Sequence, residues 1–151
     1  MNRGIHMNEK MVVTEISGAS AGQKLELPLA EASCPAGFPS PADDYIEDRL
    51  DLNEHLIKNP ASTFFVRVSG NSMQDASIHD GDILVVDRSL EPRDRKIVIA
   101  VVDGELSVKR LRIKDGKPAL QPENSDYETI EINRQNDFRI WGVVTNVIHE
   151  L

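Results

Sequence analysis

The sequence predicts a mainly β protein: a curved antiparallel β domain led by two short helices and a flexible N-terminal arm. Three observations point there. From residue 62 onward, β-branched, aromatic and other apolar residues gather in short runs bounded by turn residues. Asp103-Gly104 separates two of these runs and is a strong two-residue hairpin signal. Residues 1–36, by contrast, sustain neither a helical nor a strand period.

In chain order, the arm carries small residues at Ser17-Gly18-Ala19-Ser20-Ala21-Gly22 and short apolar pieces at Val12-Val13 and Leu25–Leu29, enough for one or two short strands. Ser40-Pro41-Ala42-Asp43 has the form of a helix start, with a serine cap, proline at the first helical position and an acid three residues on. Asp51-Leu52-Asn53-Glu54 repeats that logic, Leu52, Leu56 and Ile57 form an apolar stripe, and Asn59-Pro60 ends it. Strands are expected over Thr63–Val68, Asp82–Asp87, Lys96–Val102, Glu105–Lys114, Ala119–Gln121 and Phe138–Ile148. The division that follows is an arm of residues 1–36 and a β domain of residues 37–151.

Composition narrows the function. The net charge is −8 across 151 residues, which argues against a surface that neutralises nucleic-acid phosphates directly. Cys34 is the single cysteine, so no intrachain disulfide can form and a reducing cytoplasm is the natural compartment. The chain has no apolar run of the roughly 18 residues that a membrane span needs, and no signal-peptide pattern.

The chemistry concentrates in Val68-Ser69-Gly70-Asn71-Ser72-Met73 and Ser107-Val108-Lys109-Arg110-Leu111. A serine on a glycine-containing turn with a lysine on a later strand is the layout of a Ser–Lys hydrolytic dyad. The hydroxyl of Ser72 needs an adjacent base, and Lys109 can serve only where burial disfavours its charged form. Alternation places Lys109 on the face shared by Leu111 and Ile113, with Leu106 and Val108 opposite, so apolar residues flank it on both sides. The backbone N–H groups of Asn71 and Ser72 are the natural oxyanion donors. Lys96 is the rival base, and His55, His79 and His149 could in principle build a triad, but His79 lies in a polar turn only seven residues after Ser72. No spacing suggests a metal set, and no cofactor is expected. Upstream, Cys34-Pro35-Ala36-Gly37 holds an Ala36-Gly37 bond between small residues, able to enter a narrow cleft in extended form.

Gly37-Phe38-Pro39-Ser40-Pro41-Ala42, Asp51-Leu52-Asn53, the Ser72 segment and Val102-Asp103-Gly104-Glu105 together resemble the UmuD family, whose wider relatives are the LexA-type repressors. The resemblance runs from about residue 34 to the C-terminus and implies the Ser–Lys peptidase fold, with Ser72 as nucleophile and Lys109 as general base. It further implies self-cleavage promoted by a RecA filament on single-stranded DNA, a homodimer, and a processed form that joins a UmuC-type error-prone polymerase. The chain departs from the family twice. It reads Ala36-Gly37 where UmuD reads Cys-Gly, and Arg95-Lys96 where relatives read Gly-Asp. The alternatives are a LexA-type repressor, against which the missing helix-turn-helix argues, and a non-catalytic binding subunit.

Overall fold

The computed structural model describes residues 11–19, 26–30, 46–133, 135 and 137–151. They hold ten strands, one short α-helix and two single 3₁₀ turns (Pro60–Ser62 and Gln74–Ala76): β1 (Val12–Gly18), β2 (Glu26–Ala30), β3 (Ile46–Asp51), α1 (Leu52–Leu56), β4 (Thr63–Ser69), β5 (Ile83–Asp87), β6 (Ile97–Val102), β7 (Glu105–Lys114), β8 (Lys117–Gln121), β9 (Ile130–Glu131) and β10 (Phe138–Ile148). The expected mainly β, antiparallel character is borne out.

Eight strands form one sheet in the order β1-β4-β5-β10-β6-β7-β8-β9, and a further pairing of β1 with β7 curls it into a barrel-like ring of six. β2 and β3 make a separate antiparallel ribbon. The hairpin β6–β7 turns through Asp103 and Gly104 at φ 50° and 84°, the left-handed pair that a tight hairpin needs. Asp115 and Gly116 repeat it between β7 and β8, at φ 53° and 74°. β10 divides its length, pairing with β6 over Phe138–Val143 and with β5 over Val143–Ile148. At the register shift in the first of these ladders stands Gly142, where a Cβ would come within 2.6 Å of a Val86 methyl.

Alternation along the strands supplies two apolar layers. Ile99 and Val108 join Met11, Val66, Val68, Met73, Ile78, Leu84 and Val86 in one, while Val98, Ala100, Leu111, Leu120 and Val143 form the other. The helix expected at Asp51 is present as α1, capped by the Asp51 carboxylate accepting from Asn53 N–H at 2.9 Å. Its leucines add little to the core: α1 has no buried residue and Leu52 is half exposed. The start expected at Ser40 lies outside the described residues, and by Ile46 the chain is already strand.

One result places the arm differently from a loose tether. β1 lies within residues 1–36, yet it is a full strand of the large sheet, paired antiparallel with β4 from Val12↔Ser69 to Gly18↔Phe64. Met11, just before it, is completely buried in the first apolar layer.

Candidate functional site

The turn carrying Ser72 follows directly from β4. Gly70 adopts φ 105°, a conformation few side chains tolerate, and its N–H donates to Asp80 Oδ1 at 2.9 Å. A 3₁₀ turn at Gln74–Ala76 then carries the chain away. Ser72 and Met73 between them are fully buried. This is no solvated loop.

Lys109 occupies an unusual place on β7. One edge of β7 pairs with β6, where Val98 faces Lys109 and Ala100 faces Ser107. The other edge is shared: Ser107 pairs with Val12 of β1, and Arg110–Lys114 pair with β8. Lys109 therefore sits at the fork where β1 and β8 part. Directly opposed residues share a face of the sheet, so Lys109 lies on the face of Val98, Ala100 and Leu111, all buried. It is 2% exposed, and its Nζ donates to Val108 O at 3.1 Å. An ammonium there has lost most of its hydration. Lys96, the rival, is exposed.

β1 links these two places. Val12 is paired both with Ser69, at the end of β4, and with Ser107 on β7. One residue earlier, the Met11 N–H donates to Ser72 Oγ at 2.9 Å. A segment of the same chain thus lies in extended form against the serine and beside the strand that bears the lysine.

The turn is also held from a third side, which sequence reading did not single out. Asn124 Nδ2 donates to Asn71 O at 2.9 Å, Tyr127 Oη donates to Asn71 Oδ1 at 2.8 Å, and Asp75 N–H donates to Glu123 O at 2.8 Å. Nearby, Glu123 forms an ion pair with Arg110 of β7.

The histidines serve elsewhere. His149 Nδ1 lies 2.6 Å from Oδ1 of the buried Asp82, whose Oδ2 accepts from His79 N–H at 2.8 Å, and the two imidazoles stand 5.1 Å apart. The pair fastens the C-terminal end to the 79–82 turn, while the contact recorded at Ser72 Oγ comes from Met11. Among the described residues no cluster of three His, Cys, Asp or Glu could hold a metal ion, and no helix is long and apolar enough to cross a membrane. Ala36, Gly37 and Cys34 lie outside the described residues, in the segment joining β2 to β3.

The departure at Arg95 has a visible counterpart. Arg95 takes a left-handed φ of 72°, held by its N–H on Leu111 O at 2.7 Å and by Arg110 Nη1 donating to its carbonyl at 2.6 Å.

Comparison with known proteins finds a match to the family described as peptidase S24-like over residues 28–145. Protein SamA of Salmonella typhimurium is 50% identical over 123 residues, covering 82% of this chain and 85% of that protein. Protein ImpA of Escherichia coli is 51% identical over 122 residues, covering 81% and 83% respectively. Protein MucA of Escherichia coli is 44% identical over 142 residues, covering 93% and 95%.

Proposed function

The chain belongs to the peptidase S24-like family, and from that premise we propose that it is a self-cleaving serine peptidase of SOS mutagenesis, with Ser72 and Lys109 as its dyad and Ala36-Gly37 as the bond cut. The observation that carries the reading is a fully buried serine on a constrained turn, its Oγ already in contact with extended backbone of the same chain, next to a strand bearing a buried lysine. A buried lysine with no chemical task is an expensive residue to keep in an apolar layer. As a base it has one.

The steps follow. Neutral Lys109 takes the Ser72 hydroxyl proton as Oγ attacks the Ala36 carbonyl carbon. The oxygen that becomes charged is met by the backbone N–H groups of Asn71 and Ser72. The intermediate collapses, the C–N bond to Gly37 breaks, and Lys109 returns the proton to the leaving amine. Water, deprotonated by Lys109, then hydrolyses the Ala36 ester and regenerates Ser72. No metal or cofactor is required for any step.

Since Met11 and Val12 border Ser72 and β7, the segment around residues 36–37 competes with them for the same ground. Cleavage then requires β1 to yield. An activator acts by raising the population in which it has done so, and a RecA filament on single-stranded DNA is the activator implied by the family resemblance. The processed form, a homodimer beginning at Gly37, serves as accessory subunit to a UmuC-type polymerase. The net charge of −8 fits recruitment through proteins rather than through DNA. Mass spectrometry after incubation with RecA, single-stranded DNA and an ATP analogue tests the proposal: the expected new N-terminus is Gly37. An intact chain, or a cut made equally by Ser72→Ala, overturns it.

A further inference from the structure

We infer that Asn124 and Tyr127 are positioning residues for the proposed cleavage, clamping the peptide between Asn71 and Ser72 so that the Ser72 N–H points at the developing oxyanion. The inference rests on Ser72 being the nucleophile and adds what holds its amide in place.

In a trans peptide the carbonyl of one residue and the N–H of the next lie in one plane and point in opposite directions. Fixing Asn71 O therefore fixes the direction of the Ser72 N–H. Asn71 O accepts from Asn124 Nδ2 at 2.9 Å and from Gln74 N–H at 3.2 Å. The Gln74 bond is local to the turn and moves with it; the Asn124 bond ties the turn to a segment 53 residues away. The Asn71 side chain has its own tie to the same segment, through Tyr127 Oη on Oδ1 at 2.8 Å. Both oxygens of Asn71 are thus gripped by one short stretch of chain.

That stretch is itself rigid. Asn124 is 6% exposed, its Oδ1 accepts from Asp126 N–H at 3.0 Å, and its carbonyl accepts from Tyr127 N–H at 3.1 Å. The Asp126 contact decides the orientation of the amide: Oδ1 must face the Asp126 N–H, so Nδ2 faces Asn71. Glu123 completes the clamp, accepting from Asp75 N–H on the far side of the turn at 2.8 Å. Donors that meet a developing charge work because they are oriented in advance, and this arrangement provides the orientation.

The Asn71 bond can be cut selectively. Asn124→Asp keeps an oxygen for the Asp126 N–H but puts a second oxygen where Nδ2 donated, so the loop retains its turn while Asn71 O loses its long-range donor and keeps only the local one from Gln74. Tyr127→Phe removes only the hydroxyl. The assay is self-cleavage of the full chain in alkaline buffer without activator, well below the unfolding temperature of each variant, with the rate followed across pH. Losing one oxyanion donor outright lowers turnover by about 10²–10³-fold. Misdirecting one should slow Asn124→Asp by about 10- to 100-fold and Tyr127→Phe by less, and Tyr127→Phe, which brings in no charge, should keep the pH midpoint of the wild type. Rates within twofold of wild type for both variants would overturn the inference. So would a slowing of Tyr127→Phe that moves the pH midpoint, or a slowing of either variant that disappears once corrected for the folded fraction. A wild type that does not cleave would overturn the functional reading and this inference together; a cleaving wild type with an equally fast Asn124→Asp would overturn this inference alone.

Discussion

Truncating Met11 to alanine tests how firmly β1 guards Ser72. The side chain is completely buried among Val66, Val68, Met73 and their neighbours, so its loss leaves a cavity in the first apolar layer. Substitutions of this kind cost roughly 2–5 kcal/mol. The backbone bond from residue 11 to Ser72 Oγ does not depend on the side chain and remains available in the variant. What changes is the balance between β1 docked and β1 released. At about 1.4 kcal/mol per factor of ten, the released population should rise between roughly thirtyfold and a few thousandfold. Hydrogen exchange at residues 12–18 should accelerate accordingly, and self-cleavage without activator should speed up with it. Met11→Leu conserves volume, costs less than about 1.5 kcal/mol, and should stay near wild type on both measures. If exchange over 12–18 in Met11→Ala stays within twofold of wild type, β1 is not held by this side chain. If exchange rises but cleavage does not, β1 is no obstacle to the substrate segment.

Four other outcomes are expected. Ser72→Ala and Lys109→Ala should each abolish self-cleavage in a folded protein, the double variant being no worse than either because the two act as a unit, and the wild-type rate should climb from neutral to alkaline pH; mass spectrometry of timed samples reads all of these. Gly37→Phe should block the cut with little change in thermal stability, and a normal yield of product would move the cleavage site. Burial raises the Asp87 pKa, but hydrogen bonds from Asn59, Ser89 and Ser62 outweigh it and hold the group at about 2 against an ordinary 3.8. Because the folded value is the lower one, the carboxylate stabilises the protein above about pH 4 by about 2 kcal/mol and loses this as pH falls toward 2. Urea titrations should show the gap between wild type and Asp87→Asn closing over that window. Finally, Arg95→Gly should stabilise the protein by up to about 1 kcal/mol, since glycine meets φ 72° without the steric cost that arginine bears; a lower unfolding temperature would mean that the contacts of the Arg95 side chain outweigh that relief.

Much of the sheet was legible because its signals are local. The expected strand at Glu105–Lys114 has the observed ends, as does Phe138–Ile148, and the turn at Asp103-Gly104 needs only its own two residues to be recognised. The apolar flanking of Lys109 was likewise readable from alternation, and burial at 2% agrees with it. Other features left no such trace. A helix is expected from Ser40 and no strand between the arm and Thr63, yet Ile46–Asp51 is strand because it pairs with β2, a partner that no local pattern announces. β9 is two residues long, too short for a period. The contact from Met11 to Ser72 spans 61 residues, and Val12-Val13 reads as a fragment until β4 and β7 are folded beside it. Asn124 and Tyr127 act through single side-chain hydrogen bonds, which impose no periodicity at all.

The way β1 closes the ring has a consequence for what proteolysis could accomplish. Breaking a bond at residues 36–37 severs β1 from the body covalently but removes none of the pairing that holds Val12–Gly18 against β4. Since β1 must yield for the cut to occur, the molecule becomes a nicked complex of two fragments only where β1 returns to its place beside β4. What the cut abolishes is the tether. A linked strand faces its groove at an effective concentration in the millimolar range, whereas a free one competes at its bulk concentration, lower by about a thousandfold for a micromolar protein. Scission would thus act as a dilution, converting rebinding from a certainty into a matter of how many copies are present. Ser72 and the β4 edge, bared when β1 yields, would stay bare once the fragment has dissociated, and a cell that dilutes or degrades the fragment would make the change permanent.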